Sequence, residues 1–359
     1  CCARHRDNIE AAVESWKQRG HIENIVFVTD DVPPHELVKE GHLDRGVRRA
    51  IQLGMSPVDA LRAATFTPAR RLRRNDLGLI APGRKADILI ISDLEQFIVR
   101  TVITAGKVAA ENGVMLDVLQ PVIKIPEAAA SSVHLRSFES TDFVLLSSGT
   151  SIQASVLTQR ARGPLQYVTL KCNTGDSQNN IKGVDLFTGV NGTQGNLTGV
   201  VDWQSHPDLA LVSVWHRHGL NNNRSYCLIS GTGLSDGAIA STYAHDSHNL
   251  VIIGRNPLDM AAAANALLES GGGYAAVSGG KLLALAALPA AGLLAATDVK
   301  SLAADFELFI KAAASLGVVE NPLGLITSLP LPVVPAFRPT DMGLVDVEKQ
   351  EFVPAFKMC

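Results

Sequence analysis

Two adjacent carboxylates, Asp30 and Asp31, follow directly on the apolar residues 25–28 and Thr29. A strand that ends in acids delivers them to one place, and in parallel barrels the reacting groups sit at the carboxyl ends of the strands. The same stretch, VTDDVPPHELVKEGHLD, also fits a plainer reading in which one aspartate caps the helix that follows. A cap accounts for only one of the two acids, so both readings stand. Glu40 and His42, in EGHLD just beyond, could reach a substrate from there, although a solvated helix face is the simpler account of them.

A second set lies far downstream. His216 and His218 form a His-x-His pair, and His245, Asp246 and His248 form HDSH; together they hold four of the ten histidines. Alternate histidines at a strand end point to one face, and a pair three residues apart shares one side of a turn, which is metal-ligand spacing. The competing account is a hydrogen-bonded cluster that organises a contact, with Arg217 and Asn249 as further polar partners. Asp341, in TDMG, is a weaker candidate for the same neighbourhood. The glycine run of ESGGGYAAVSGGK is not a phosphate cradle, because Gly271–Gly273 close a helix where a cradle must open one.

These groups need elements to hold them. Residues 7–19 have helical apolar spacing, with Gly20 to stop them before the strand. HELVKEGHLDRGVRRAIQLG reads as one or two helices. In SPVDALRAATFTPARRL, Ser56 caps, Pro57 takes the first helical position, and Thr67 with Pro68 restarts the next helix. From Asn75 the texture becomes β: a Pro-Gly turn, then ILIISD and FIVRTVITAGKVAAENG as paired strands. A polar connection around 121–139 leads to strands at FVLLS, LQYVTLKC and LALVSVW, and to the helix NPLDMAAAANALLES. Residues 282–296 are the most apolar run; Pro289 and Gly292 interrupt it, and it is expected as buried core, too short to span a membrane.

Composition narrows the partners. With 46% hydrophobic and 19% charged residues in 359, the chain is globular, and a net charge of −3 supplies no basic field for a nucleic-acid polymer or an anionic membrane. A small molecule is expected instead. The odd number of scattered cysteines (Cys1, Cys2, Cys172, Cys227, Cys359) gives neither a disulfide framework nor a thiolate zinc site, and fits a reducing cytosol. The sequons at Asn191, Asn196 and Asn223 are then chance matches. The opening CCARHRDNIE has no apolar stretch and no initiator Met, so a start inside a larger protein is expected rather than a signal peptide.

FVTDD, EGHLDRGVRRAIQLG, ALRAATFTPARRL and DLGLIAPGRKADILIISDL together resemble the end of the amidohydrolase superfamily pattern. HRHG, GAIASTYAHDSHNL, SGGG, LPAAGLLA and TDMG narrow the resemblance to the adenine deaminase family. It implies an α/β chain: the C-terminal remnant of a (β/α)8 metal-dependent hydrolase barrel over 1–74, a β-sandwich portion over 75–120, and a separate α/β C-terminal domain over 121–359. It implies Asp30 as a metal ligand and acceptor of the attacking water's proton, with Asp31 behind it or capping. The implied cofactor is a divalent metal, manganese or iron, dinuclear in the full-length enzyme. The implied substrate is adenine, giving hypoxanthine and ammonia, in a cytoplasmic homo-oligomer.

The family also requires an upstream His-x-His, a bridging carboxylate and two more histidines. None precedes Asp30 in this sequence, so inactivity alone is expected. Another cyclic-amidine or amide amidohydrolase, or a non-catalytic fragment, are the alternatives.

Overall fold

The computed structural model describes residues 2–3, 6–20, 24–116, 124–158, 161, 163–174, 182–186, 199–319 and 321–359. Cys1, Pro121, Asn191 and Asn196 lie outside them. The chain divides into two compact units, residues 1–122 and 123–359, of mixed α/β structure.

In the first unit, helix α1 (Arg6–Arg19) presents Ile9, Ala12, Val13 and Trp16 at the i, i+3, i+4, i+7 spacing of one face. That face packs with Ile25 and Phe27, and the short strand Val26–Phe27 pairs in parallel with Cys2–Ala3. Two helices follow the acidic strand end, α2 (Pro34–Glu40) and α3 (Leu43–Gln52), and α3 adds Val47, Ala50 and Ile51 to the same core. Helix α4 (Pro57–Ala64) starts as expected, with the Ser56 hydroxyl accepting from the Asp59 amide and Pro57 in the first turn. The next helix, α5 (Phe66–Arg71), begins earlier than Thr67: Thr65 holds the cap position without a side-chain bond, because its hydroxyl donates back to the Leu61 carbonyl at 2.6 Å.

The β segment is a four-stranded antiparallel meander, Ile88–Asp93, Ile98–Thr104, Lys107–Glu111 and Val114–Met115, in sequential order. The last two turns are Ala105-Gly106 and Asn112-Gly113, both residues of each at positive φ, the two-residue connection that matches strand twist.

Among the described residues of the second unit a twelve-stranded sheet carries the fold. Its strand Leu209–Trp215 is buried throughout: Leu209, Leu211 and Trp215 enter one core while Ala210, Val212 and Val214 enter the other, the alternation a pleated strand requires. It pairs antiparallel with Arg224–Ser230 on one side and with Leu250–Gly254 on the other. Ser151–Leu157 joins Arg224–Ser230 in parallel, and also receives Phe356–Met358. A four-residue helix, α6 (Glu127–Ala130), opens the unit. Helix α7 (Pro257–Ser270) covers one face through Met260, Ala261, Ala264 and Leu267. It is capped by the Asn256 side chain and ends at Gly271 in the left-handed region, as the glycine run required. Helices α8 (Val299–Ser315) and α9 (Pro322–Ser328) cover the other face with Phe306, Phe309, Leu325 and Ile326.

One expectation is corrected here. Residues 282–296 are not uniformly core: Leu282 and Leu283 are exposed because Lys281–Ala287 is the last strand of the sheet on that side, and Leu294 is exposed at the end of the turn that follows it.

Candidate functional site

At the acidic strand end of the first unit, Asp30 has φ +56° and, like Asp31, is exposed. Its Oδ1 accepts from the Asp31 amide at 3.0 Å. The cap position of α2 belongs to Pro33 and carries no side-chain bond, so neither aspartate caps that helix. His42 precedes α3, where its amide is held by Asp44 Oδ1 at 2.7 Å and its Nε2 meets the Thr29 hydroxyl at 3.0 Å. The structure thus joins the strand end to His42 through Thr29. A cavity of about 500 Å³ opens beside this contact. Thr29, Glu40, His42, Arg45, Arg48 and Arg49 are among its lining residues; Asp30 and Asp31 are not. Its charges are largely matched: Arg45 pairs with Glu40 at 2.6 Å and Glu36 at 3.2 Å, Arg48 with Asp44 at 2.7 Å, and Arg49 with Glu10.

The histidines of the second unit come together. His216 and His218 follow the strand Leu209–Trp215 with ring centres 5.3 Å apart, and His245 and His248 lie 5.5 Å apart in the loop before Leu250–Gly254. His218 Nε2 donates to the Ser247 carbonyl at 2.9 Å, which joins the two segments. Arg217 is the centre of the arrangement, 1% exposed. Its guanidinium donates to the His248 carbonyl, to Ser132 O at 3.0 Å and Oγ at 3.2 Å, and to Ala291 O at 2.9 Å. All of these partners are neutral, and burial brings its pKa down to about 10, so it stays charged at neutral pH.

Asp341 closes the other side. It accepts from Asn249 Nδ2 at 3.0 Å and Asn223 Nδ2 at 3.5 Å, and its Oδ2 stands 3.6 Å from His216 Nδ1. Burial lowers the pKa of His218; Arg217 and His216 add to this, against the Ser247 carbonyl and Asp341. His248 is lowered for the same first reason, then by His245 and Arg217. Both rings are therefore held neutral more firmly than a free imidazole. His216 Nε2, His248 Nδ1 and Asn249 Oδ1 are buried with no hydrogen-bond partner. Such atoms cost about 1–3 kcal/mol each when nothing satisfies them.

Asp246 is largely exposed, its side chain 73% accessible, and its Oδ1 stands 3.8 Å from His245 Nδ1. Among the described residues no three His, Cys, Asp or Glu side chains already surround one point as a cation site. Sequence reasoning brought in Arg217, Asn249 and Asp341 but missed Asn223, read as a chance sequon, and Ser132 and Ser247. Nothing in their spacing marks them, because they contribute through folding rather than through a motif.

Comparison with known proteins follows the same division. Residues 2–109 match the amidohydrolase family, and residues 193–351 match the adenine deaminase C-terminal domain. Adenine deaminase 2 of Shouchella clausii is 34% identical over 335 residues, 93% of this chain and 55% of that protein. Adenine deaminase 1 of Latilactobacillus sakei is 34% identical over 343 residues, with 95% and 54% covered. The chain is similar to proteins named adenine deaminase over more than nine-tenths of its own length. The adenine deaminase of Moorella thermoacetica, 36% identical over 342 residues, covers 94% of this chain and is itself covered over 54%. The chain thus spans about half the length of the adenine deaminases it matches. Among the described residues no helix is long and apolar enough to cross a membrane.

Proposed function

We propose that this chain is the C-terminal part of an adenine deaminase acting in purine salvage, with residues up to about 74 as the end of a (β/α)8 barrel, the meander as part of a β-sandwich, and residues 121–359 as the C-terminal domain. The observation that carries the reading is the tandem match: an amidohydrolase segment and an adenine deaminase C-terminal domain in one chain, within relatives named adenine deaminase over more than nine-tenths of its length. In this reading adenine and water give hypoxanthine and ammonia. Water adds at C6 of the purine, the bond from C6 to the amino nitrogen breaks, and Asp30 takes the proton lost by the water and passes it to the departing ammonia. Asp31 stands behind Asp30, and Glu40 and His42 face the cavity from which a substrate would be held. The working molecule would be a cytoplasmic homo-oligomer.

The resemblance also implies manganese or iron. The residues described here do not complete a site for it: Asp30 offers one carboxylate, His42 Nε2 is engaged with Thr29, and no group of three ligands is assembled. The sequence before Asp30 holds His5 and His21 as its histidines and no His-x-His pair.

The test is to join this chain to the N-terminal part of the Moorella relative and follow ammonia released from adenine with manganese or iron. The fusion is expected to be active, and Asp30→Asn to lower its rate by at least about 100-fold. An active Asp30→Asn fusion would remove Asp30 from the mechanism. Turnover at an enzyme-like rate by the unfused chain would show that the other ligands are dispensable.

A further inference from the structure

We propose that His42 is a positioning residue for Asp30, acting through Thr29, so that the turn EGHLD sets where the strand-end carboxylate stands; this rests on the reading of Asp30 as the group that takes the water's proton. Asp30 has φ +56°, a region in which residues other than glycine are uncommon. Backbone of this kind persists where the surroundings over-determine it. After it, the Asp31 amide donates to Asp30 Oδ1 at 3.0 Å. That bond is local and travels with the chain. Before it, the Thr29 hydroxyl meets His42 Nε2 at 3.0 Å, across 13 residues, and this bond fixes the neighbour of Asp30 to a separate element.

His42 is itself set in a rigid frame. Its amide donates to Asp44 Oδ1 at 2.7 Å, while Asp44 Oδ2 pairs with Arg48 at 2.7 Å one turn along α3. Its carbonyl accepts from the Arg45 amide at 3.1 Å. Gly41 before it has φ +93°, and a Cβ there would stand 2.8 Å from Asp44 Oδ2 and 3.1 Å from Arg48 Nη2, so the turn closes only around glycine. The Glu40 carbonyl accepts from Arg48 Nη2 at 3.2 Å. The first turns of α3 thus anchor the residue, and Nε2 carries that anchoring across to Thr29.

Magnitudes say what the link is for. A hydrogen bond between side chains open to solvent contributes about 0.5–1.5 kcal/mol to stability at most, whereas a displacement of about 1 Å in a reacting group costs about 100-fold in rate. Thr29 is half-buried and His42 exposed, so the bond matters to geometry more than to folding. Thr29 and His42 both line the cavity of the first unit and Asp30 does not, so the link reaches Asp30 through the backbone.

The first measurement uses the full chain labelled with ¹⁵N-aspartate. The amide signals of Asp30 and Asp31 should move in His42→Ala and in Thr29→Val, and that of Asp346 should stay. His42→Gln, whose amide reaches as far as Nε2, should restore them, and the shorter His42→Asn should not. The second uses the active fusion described above: His42→Ala should lower kcat for adenine about 10- to 100-fold with KM within about 3-fold, and His42→Gln should recover most of the loss. The His42→Ala/Thr29→Val double variant should fall no further than either single one, because both break the same bond. If circular dichroism shows that a His42 variant does not fold, Thr29→Ser against Thr29→Val puts the same question from the other end of the bond. Unmoved Asp30 and Asp31 amides, a His42→Gln variant as slow as His42→Ala, or a change in KM alone overturns the proposal and leaves the assignment of Asp30 standing. A fully active Asp30→Asn fusion overturns that assignment and the proposal with it.

Discussion

Replacing Arg217 is expected to loosen the second unit more than any single change at its surface. The buried guanidinium supplies the donors for three carbonyls, those of Ser132, His248 and Ala291, in three separate segments. In Arg217→Ala each carbonyl loses a charged donor in a buried setting, at about 1–3 kcal/mol apiece. Against this, the folded state no longer bears the desolvation of a cation that has no carboxylate beside it. Taking about a third to a half of the gross loss as offset leaves a net destabilisation of about 3 kcal/mol. For a unit of this size that lowers the midpoint of thermal unfolding by about 6–12 °C. Arg217→Lys keeps the charge but not the planar fork, so one ammonium cannot serve three directions and about half of the loss is expected. Calorimetry on the full chain, with urea melts to confirm an unchanged slope, measures both. A midpoint for Arg217→Ala within about 1 °C of the parent, or full rescue by Arg217→Met, would refute the view that the guanidinium ties these segments together.

Gly233 has φ +75°, and a Cβ there would stand 2.4 Å from the Gly317 carbonyl and 2.7 Å from Val319 Cγ1, so Gly233→Ala should destabilise by at least about 2 kcal/mol in a denaturant melt. Burial pushes the Cys227 thiol up to about 12 and raises Cys172 as well, whereas Cys359 is exposed; peptide mapping after a brief alkylation at neutral pH should find Cys359 modified and the other two intact. The Asp346 carboxylate is held below its ordinary value, first by the Lys349 amide at 3.1 Å and then by the Lys349 ammonium at 3.2 Å. A lowered folded-state pKa means stability that is present at neutral pH and is lost as pH falls through the carboxylate range, so Asp346→Asn should flatten the acid side of a stability–pH curve and leave its slope above pH ~6 unchanged.

Local signals in the sequence carried the local structure. Ser56 with Pro57, Asn256 with Pro257, and Gly271 mark helix ends that the structure places where the side-chain chemistry requires them. The strands from Ile88 to Glu111 were legible because their apolar runs are bounded by Asp, Gly and Asn. Periodicity reports whether a residue prefers burial, not what will cover it, which is why Leu282, Leu283 and Leu294 looked like core and are exposed. The gathering of His216 with Asp341 was only half visible. His-x-His and HDSH announce themselves by spacing, but the carboxylate that stands beside His216 arrives from a turn 92 residues beyond Asn249, and no pattern within either segment points to it. The strand end was legible as a place for carboxylates, whereas the bond from Thr29 to His42 depends on how α2 and α3 bend back, which turn chemistry alone does not set.

Asp341 and the strand Phe356–Met358 have a consequence for how the protein is made. The histidine loops and the strand Ser151–Leu157 are synthesised first, but the carboxylate and the strand that complete them come later. At about 5–20 residues per second, the 92 residues from Asn249 to Asp341 take about 5–18 s to appear. During that interval the Ser151–Leu157 strand has an open side, and His216, Asn223 and Asn249 wait without the group that joins them. The nascent chain therefore carries an unfinished sheet and an unassembled cluster until translation has passed residue 358, and a ribosome that stalls between 250 and 340 leaves both exposed to whatever else in the cell can pair with them.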